Sequence, residues 1–462
     1  MTRKNKELFR EFLSLVKEMA KYLEFEDNSR EVQFAHFVFN FPEEFNSLKL
    51  LAVKFFFQHQ VKGTLSLLEY LVENERSIEM LSGLYEILQA SPSPEHRELL
   101  EKMDKRLSSL WVPKASELKV LVDLGFTRLK SENGIEVIDS YKAHQLDKPC
   151  DNFHTFSYDN LARDFELNPE SLLILSKQHI IGIKLYPKFP NLGIPQSINL
   201  LTKLKILIID NESLEKGDYK KILPLDNLPN EIIHLKNLRI LYIMNSELKE
   251  FPKEFAQISH LRYLYILDSR LRFVPNFTIM FPKLRGLTLE GGPLKKTPNW
   301  LFEFARKHYS RRYIQKGVNK EDATVLGFLE ILSRPLERAE YNDIWDYNCH
   351  GYTTNELGRI TDLKLGFWMQ SSRNPPFYLL PCFPEEICKL RQLEKLYICN
   401  GIYSEEYGFW PPHWKEKADA RIPESIRELK SLRYLWTNAK YSKSLKPFLE
   451  SLEMFETDVF EP

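Results

Sequence analysis

Residues His234–Pro275 read "HLKNLRILYIMNSELKEFPKEFAQISHLRYLYILDSRLRFVP". The phrase LRILYIMNSELKEFP returns 23 residues later as LRYLYILDSRLRFVP. A chain that restates a phrase at a fixed period builds one structural unit repeatedly, each copy burying an apolar face on the next.

Leu238, Leu261 and Leu284 open three units at 23-residue spacing. Each carries L-x-x-L-x-L/I: Leu238/Leu241/Ile243, Leu261/Leu264/Ile266 and Leu284/Leu287/Leu289. The triple recurs at Leu204/Leu207/Ile209 and Leu393/Leu396/Ile398, and in weaker form at Leu432/Leu435/Thr437. Two further apolar triples, Ile180/Ile183/Leu185 and Ile360/Leu363/Leu365, are placed to open each series. A second marker is independent of the first. Pro195, Pro229, Pro252, Pro275, Pro384 and Pro423 each stand nine residues before an opening leucine, in words such as IPQSI, LPNEI, FPKEF, FPEEI and IPESI.

On these residues the chain resembles the leucine-rich repeat family, in the intracellular version with P-x-x-I/F before each L-x-x-L-x-L strand. The resemblance covers about residues 178–300 and 358–440. It implies a horseshoe with a parallel sheet on the concave side and short helices or turns on the convex side. Family repeats place Asn or Cys at position 9, counting the opening Leu as 1. Here position 9 holds Glu212, Ser246, Ser269, Gly292 and Gly401, while Asn211, Asn245, Asp268 and Asn400 stand at position 8. A full asparagine ladder is therefore absent, and Ser246 and Ser269 are left to bond the backbone in that slot.

Side chains alternate faces along a strand. With positions 4 and 6 inward, positions 3, 5 and 7 are expected on the open concave face. Position 3 reads Ile206, Ile240, Tyr263, Gly286, Lys395 and Tyr434. Position 5 reads Ile208, Tyr242, Tyr265, Thr288, Tyr397 and Trp436, and position 7 begins Asp210, Met244, Leu267 and Glu290. Aromatic and aliphatic residues on a surface facing water mark a binding site. The competing reading is that the insertions or N-terminal helices fold over this face.

The spacing breaks where residues are added after the third core position: 20 residues separate Ile209 from Pro229, 19 separate Leu365 from Pro384, and 25 separate Ile398 from Pro423, against nine in regular units. These loops leave from one end of the strands. Two are rich in aromatics, with Trp368, Phe377 and Tyr378 in one and Tyr403, Tyr407, Phe409, Trp410 and Trp414 in the other. They are expected to form either an interaction rim or a small secondary core.

The domain organisation expected is an all-helical domain at 1–111, a connecting or capping region at 112–177, a first repeat block at 178–300, a helical insertion or cap at 301–357, a second block at 358–440 and a C-terminal cap at 441–462. Phe9, Phe12, Leu13, Val16 and Ala20 have helical spacing, and SPSPEH reads as a break followed by a helix start. PESLLILSK (169–177) is read as a helix capping the repeats. The fold class is thus an α+β repeat solenoid with a helical N-terminal domain.

Composition bounds the chemistry. The chain has 462 residues, more than one ordinary core serves, but a solenoid escapes that limit. Lys+Arg and Asp+Glu are equal at 64 each, so no net field draws it to nucleic acid. Mean hydropathy is −0.37, and no apolar run approaches the roughly 18 residues of a membrane span. The charged start reads as an amphipathic helix and not a secretion signal. The five cysteines form no zinc pattern or disulfide framework, so a reduced, cytoplasmic setting is expected. No phosphate-binding G-x-x-x-x-G-K-S/T loop, H-E-x-x-H or G-x-S-x-G occurs. Cys382 and Cys388 read as ordinary thiols, and Arg306–Arg312 as a solvated basic helix face. The expectation is a non-enzymatic scaffold without cofactor or metal. It would bind a protein or peptide, not nucleic acid or membrane, on Ile206, Ile208, Ile240, Tyr242, Met244, Tyr263, Tyr265, Leu267, Tyr397, Tyr434 and Trp436, with rim loops adding Trp368, Phe377, Tyr378, Tyr407, Phe409, Trp410 and Trp414. A substrate adaptor or regulatory subunit, ubiquitin-ligase-like or small-GTPase-associated, is the alternative. An enzyme or a nucleic-acid-binding protein stands behind it.

Overall fold

The computed structural model describes residues 46–58, 64–75, 77–90, 93–109, 113–123, 137–138, 172–176, 179–185, 194–210, 228, 230–246, 248–269, 271–290, 294, 296–333, 335–339, 350–365, 380, 382–398, 421–437 and 439–457. The chain divides into two compact units, one made of 1–148, 165–183 and 194–204, the other of 149–164, 184–193 and 205–462.

The first unit contains helices α1 (Asn46–Gln58), α2 (Thr64–Asn74), α3 (Ile78–Gln89), α4 (Pro94–Ser109) and α5 (Leu118–Asp123). Their starts follow from local chemistry. Ser77 caps α3 by accepting from the Met80 N–H at 3.3 Å. Ser93 accepts from the His96 N–H at 3.2 Å, with Pro94 at the first helical position. The apolar faces meet through Leu68, Leu71, Met80, Leu81, Leu84, Met103 and Leu107, all fully buried. Arg106 of α4 donates to the carbonyls of Val72 and Glu75, each at 2.6 Å, serving groups that the end of α2 leaves without helical partners. The same unit holds β1 (Val137–Ile138) parallel to β2 (Leu172–Ser176), and most of β3 (His179–Leu185). Residues 172–176 are thus strand, correcting the helix expected for PESLLILSK. A short apolar run such as LLILS carries no period that separates the two. Glu117, itself buried, accepts from the Ile180 N–H at 2.6 Å and meets His179 Nδ1 at 2.7 Å, tying the entry of α5 to β3.

In the second unit the sequence repeat becomes structure. β4 (Ile206–Asp210), β5 (Ile240–Ser246), β6 (Tyr263–Ser269) and β7 (Gly286–Glu290) pair in chain order, all parallel. The register aligns position 4 of each unit: Leu207 with Leu241, Leu241 with Leu264, and Leu264 with Leu287. The P-x-x-I/F word is a five-residue 3₁₀ turn. Pro252 caps Lys253–Gln257, Pro384 caps Glu385–Lys389 and Pro423 caps Glu424–Glu428, and the buried third residue is Phe255, Ile387 or Ile426. Proline suits this site because its fixed φ starts the turn and its missing N–H is not needed there. Pro275 departs from the rule: Asn276 accepts from the Thr278 N–H at 3.1 Å and caps a helical turn, α6 (Phe277–Met280). From Leu204 to Leu435 the described opening leucines and the apolar residues at positions 4 and 6 are buried, each worth roughly 1.5–3 kcal/mol.

In the position-9 slot, Ser269 accepts from the Leu271 N–H at 3.4 Å, whereas the buried Ser246 hydroxyl has no partner among the described residues. Thr437, the polar residue of the weakest triple, is fully buried and accepts from the Ala439 N–H at 3.1 Å.

Between the two runs of strands come α7 (Asn299–His308), α8 (Ser310–Gln315) and α9 (Lys320–Leu332). Every residue of α9 from Asp322 to Leu332 is buried. Gly327 permits the approach of α7–α8, since a Cβ there would lie 2.7 Å from Tyr309 Cβ. A second sheet follows, with β8 (Glu337–Arg338), β9 (Gly351–Thr354), β10 (Ile360–Leu365), β11 (Lys395–Ile398), β12 (Tyr434–Thr437) and, after α10 (Lys446–Leu449), β13 (Met454–Thr457). β10 to β13 are parallel and β9 is antiparallel to β10. The β9–β10 turn is fixed on the helices: Asn319 N–H donates to the Gly358 carbonyl at 2.8 Å, and Asp322 accepts from the Ile360 N–H at 2.8 Å while facing Arg359 at 3.0 Å. The basic run Arg306–Arg312 is not simply a solvated face. Tyr309 and Ser310 are buried, and Arg312 pairs with buried Glu330 at 3.0 Å.

Candidate functional site

The face opposite the leucine core is built by register. In the first sheet, Ile206, Ile240, Tyr263 and Gly286 form one row, and Ile208, Tyr242, Tyr265 and Thr288 the next. Asp210, Met244, Leu267 and Glu290 form a third. Tyr242 and Tyr265 stack with ring centres 5.1 Å apart. Tyr263 leans over its neighbour, where a Cβ on Gly286 would come within 2.5 Å of the ring. Desolvation pushes the Tyr265 phenol well above its ordinary range, with Tyr263 and Glu330 adding to the rise.

The expected open face is closed over much of this sheet. Ile206, Ile208, Ile240, Tyr242 and Leu267 are buried rather than exposed. Met244, Tyr263 and Tyr265 keep partial exposure. Burial of this aliphatic row is favourable because isoleucines facing water cost free energy.

The second sheet differs. Its rows are Asp362, Lys395, Tyr434, Met454 and Lys364, Tyr397, Trp436, Glu456. Tyr397 and Trp436 lie face to face, 4.1 Å between centres and 5° between planes. Lys364 Nζ sits 5.0 Å from the Tyr397 ring centre, and Lys395 Nζ 5.4 Å from that of Tyr434. Lys395 also approaches Asp362 at 3.7 Å, and Asp362 accepts from Thr353 Oγ1 at 2.5 Å. Tyr397, Tyr434, Trp436 and Met454 are partly exposed and Glu456 is exposed. Tyr397 and Trp436 are thus packed against each other, and Tyr397 and Tyr434 against two lysine ammonium groups, while all three rings remain partly exposed.

Of the expected site residues, register brings Tyr397, Tyr434 and Trp436 together on this face. Trp368, Phe377, Tyr378, Tyr407, Phe409, Trp410 and Trp414 lie outside the described residues. Asp362 and Lys364 were missed, although alternation from Ile360/Leu363/Leu365 places them at positions 3 and 5. Met454 and Glu456 were missed because β13 lacks the proline nine residues earlier and carries only a degenerate triple, Leu452/Phe455/Thr457.

These strands, turns and rows decide the architecture. The fold is a repeat solenoid of the leucine-rich type. No family model matches the chain, and no curated protein matches it. Among solved structures it is similar to a leucine-rich-repeat protein of Leptospira interrogans, at 20% identity over 56% of this chain and 67% of that one, with a TM-score of 0.22. It is similar to the ectodomain of the Arabidopsis thaliana membrane receptor kinase GASSHO1/SCHENGEN3, solved with CASPARIAN STRIP INTEGRITY FACTOR 2, at 17% identity over 58% of this chain and a TM-score of 0.22. This chain spans only 24% of that ectodomain. An internalin of Listeria monocytogenes shows 12% identity, 62% and 92% coverage and a TM-score of 0.19. Scores this low carry no weight, and the architecture stands on the chain's own register.

Elsewhere the reactive groups are muted. Burial pushes the Cys382 thiol up to about 12 and the Cys388 thiol up to about 11, so both are protonated and poor nucleophiles at neutral pH. Among the described residues no cluster of three His, Cys, Asp or Glu is placed to hold a metal ion. No described helix is long and apolar enough to cross a membrane.

Proposed function

We propose that this chain is a non-enzymatic interaction protein of the intracellular leucine-rich-repeat type, which binds a protein or peptide partner on the aromatic face of its second sheet. The observation that carries this is the partly exposed Tyr397–Trp436 stack, fixed in register on adjacent strands. Tyr and Trp are the residues that most often dominate binding energy, and a pre-stacked pair loses little side-chain entropy on binding. Met244, Tyr263 and Tyr265 extend the proposal to the first sheet. In this reading the two repeat blocks form one horseshoe interrupted by α7–α9, the aromatic loops form its rim, and the protein works in the cytoplasm, where Cys382 and Cys388 stay as the free thiols they are here.

The test is affinity capture with the full chain as bait, comparing wild type with Trp436→Ala and Tyr397→Ala. Proteins that need this face drop out of the variant captures while circular dichroism stays unchanged. Identical captures would refute the assignment of the face.

A further inference from the structure

The second-sheet face ends in an arrangement that specifies more than an aromatic patch. Along its position-5 row the groups run Lys364, Tyr397, Trp436, Glu456 on successive parallel strands. One face of Tyr397 takes the Lys364 ammonium and the other takes Trp436. Because the two rings are parallel to within 5° and stacked face to face, the face of Trp436 opposite Tyr397 is turned along the row toward β13. The neighbour there is Glu456, exposed and without an ion pair among the described residues. Adjacent strands lie about 4.8 Å apart, so Glu456 is the immediate neighbour of the indole along the row.

We infer that this site receives an arginine side chain of the partner, its guanidinium stacked on Trp436 and forked onto the Glu456 carboxylate. This rests on the reading of the face as the interaction surface and names its chemistry. Two contacts within the protein show what these aromatics accept: the ammonium of Lys364 on Tyr397 and that of Lys395 near Tyr434. A cation on Trp436 would close the ring stack at its second end, as Lys364 closes it at the first. Arginine fits better than lysine because its plane stacks on indole while its edge offers paired N–H donors to a carboxylate. Beside this site, Tyr434 and Met454 form an apolar step suited to the residue flanking the arginine.

The probes are acetyl-Ala-Leu-Arg-Leu-Ala-amide and its citrulline and glutamate analogues, titrated into the full chain. The readout is the Trp436 indole N–H resonance, assigned by its loss in Trp436→Phe. The arginine peptide should shift this resonance saturably, citrulline should bind at least about threefold more weakly, and Glu456→Gln should weaken the arginine peptide by about three- to tenfold. If citrulline or glutamate peptides shift Trp436 as strongly as arginine, the cation site is overturned while the face remains an interaction surface. If none of the three moves Trp436, and Trp436→Ala also leaves captured proteins bound, both readings fall. Glu456→Ala serves as a second variant should Glu456→Gln retain hydrogen bonding to the guanidinium.

Discussion

The hydroxyl of Tyr309 meets both backbone groups of Leu287, accepting its N–H at 2.7 Å and donating to its carbonyl at 2.8 Å. β7 ends its sheet, so Leu287 would otherwise present an unsatisfied, buried edge. Tyr313 does a related service four residues on, accepting the Leu336 N–H at 3.1 Å just before β8 while donating to Glu330 at 2.6 Å. One helical stretch thus stops the first sheet and starts the second.

Tyr309→Phe removes one hydroxyl and leaves a buried donor and acceptor without partners. The expected loss is about 2–4 kcal/mol by urea unfolding, from roughly 1–3 kcal/mol per unmet group, with faster exchange of the Leu287 amide. A change within about 0.5 kcal/mol would show that water replaces the phenol.

Glu330 predicts a pH dependence. Desolvation outweighs its contacts with Arg312 and Tyr313 and lifts the carboxyl to about 7. A carboxyl whose folded pKa lies above its unfolded value holds its proton more tightly when folded. Its contribution is full below about 4.5 and is lost as pH rises through about 7. The wild type should lose stability between about pH 4.5 and 7, on the order of 3 kcal/mol at most. Glu330→Gln should flatten that slope in urea titrations at several pH values; an equal slope in both proteins would place the titration elsewhere.

Gly358 and Gly317 both have positive φ, at 69° and 85°, but differ in space. A Cβ at 358 would lie 2.2 Å from the Gly317 carbonyl oxygen, whereas at 317 it meets only an Arg338 nitrogen at 3.7 Å. Gly317→Ala should cost about 1 kcal/mol for the backbone conformation, and Gly358→Ala at least about 2 kcal/mol because the β9–β10 turn must also shift. Equal melting temperatures would contradict the tight seating of that turn.

The repeats were legible because two independent markers, the leucine triple and the proline nine residues earlier, kept one register. That register carries through residue by residue, from Leu207 to Leu287 and from Leu363 to Leu435. Exposure was not legible. Alternation assigns Ile208 and Tyr242 to a face, but whether a face meets solvent depends on what packs over it, which no local pattern encodes. β13 escaped because its triple, Leu452/Phe455/Thr457, has one leucine and no proline nine residues before it. The role of Tyr309 escaped because a tyrosine on an amphipathic helix looks like ordinary core until the edge it closes is known.

Partner affinity should rest on the second-sheet aromatics Tyr397 and Trp436. The most direct measurement is the affinity of a captured partner for the full chain, compared with Trp436→Ala, Tyr397→Ala and, as a control, Ile279→Ala, whose side chain is 75% exposed on α6. The account predicts at least about a tenfold loss for each aromatic variant, as expected of binding hot spots, and no change for Ile279→Ala. Unchanged affinity in both aromatic variants, or a loss confined to Ile279→Ala, would contradict it.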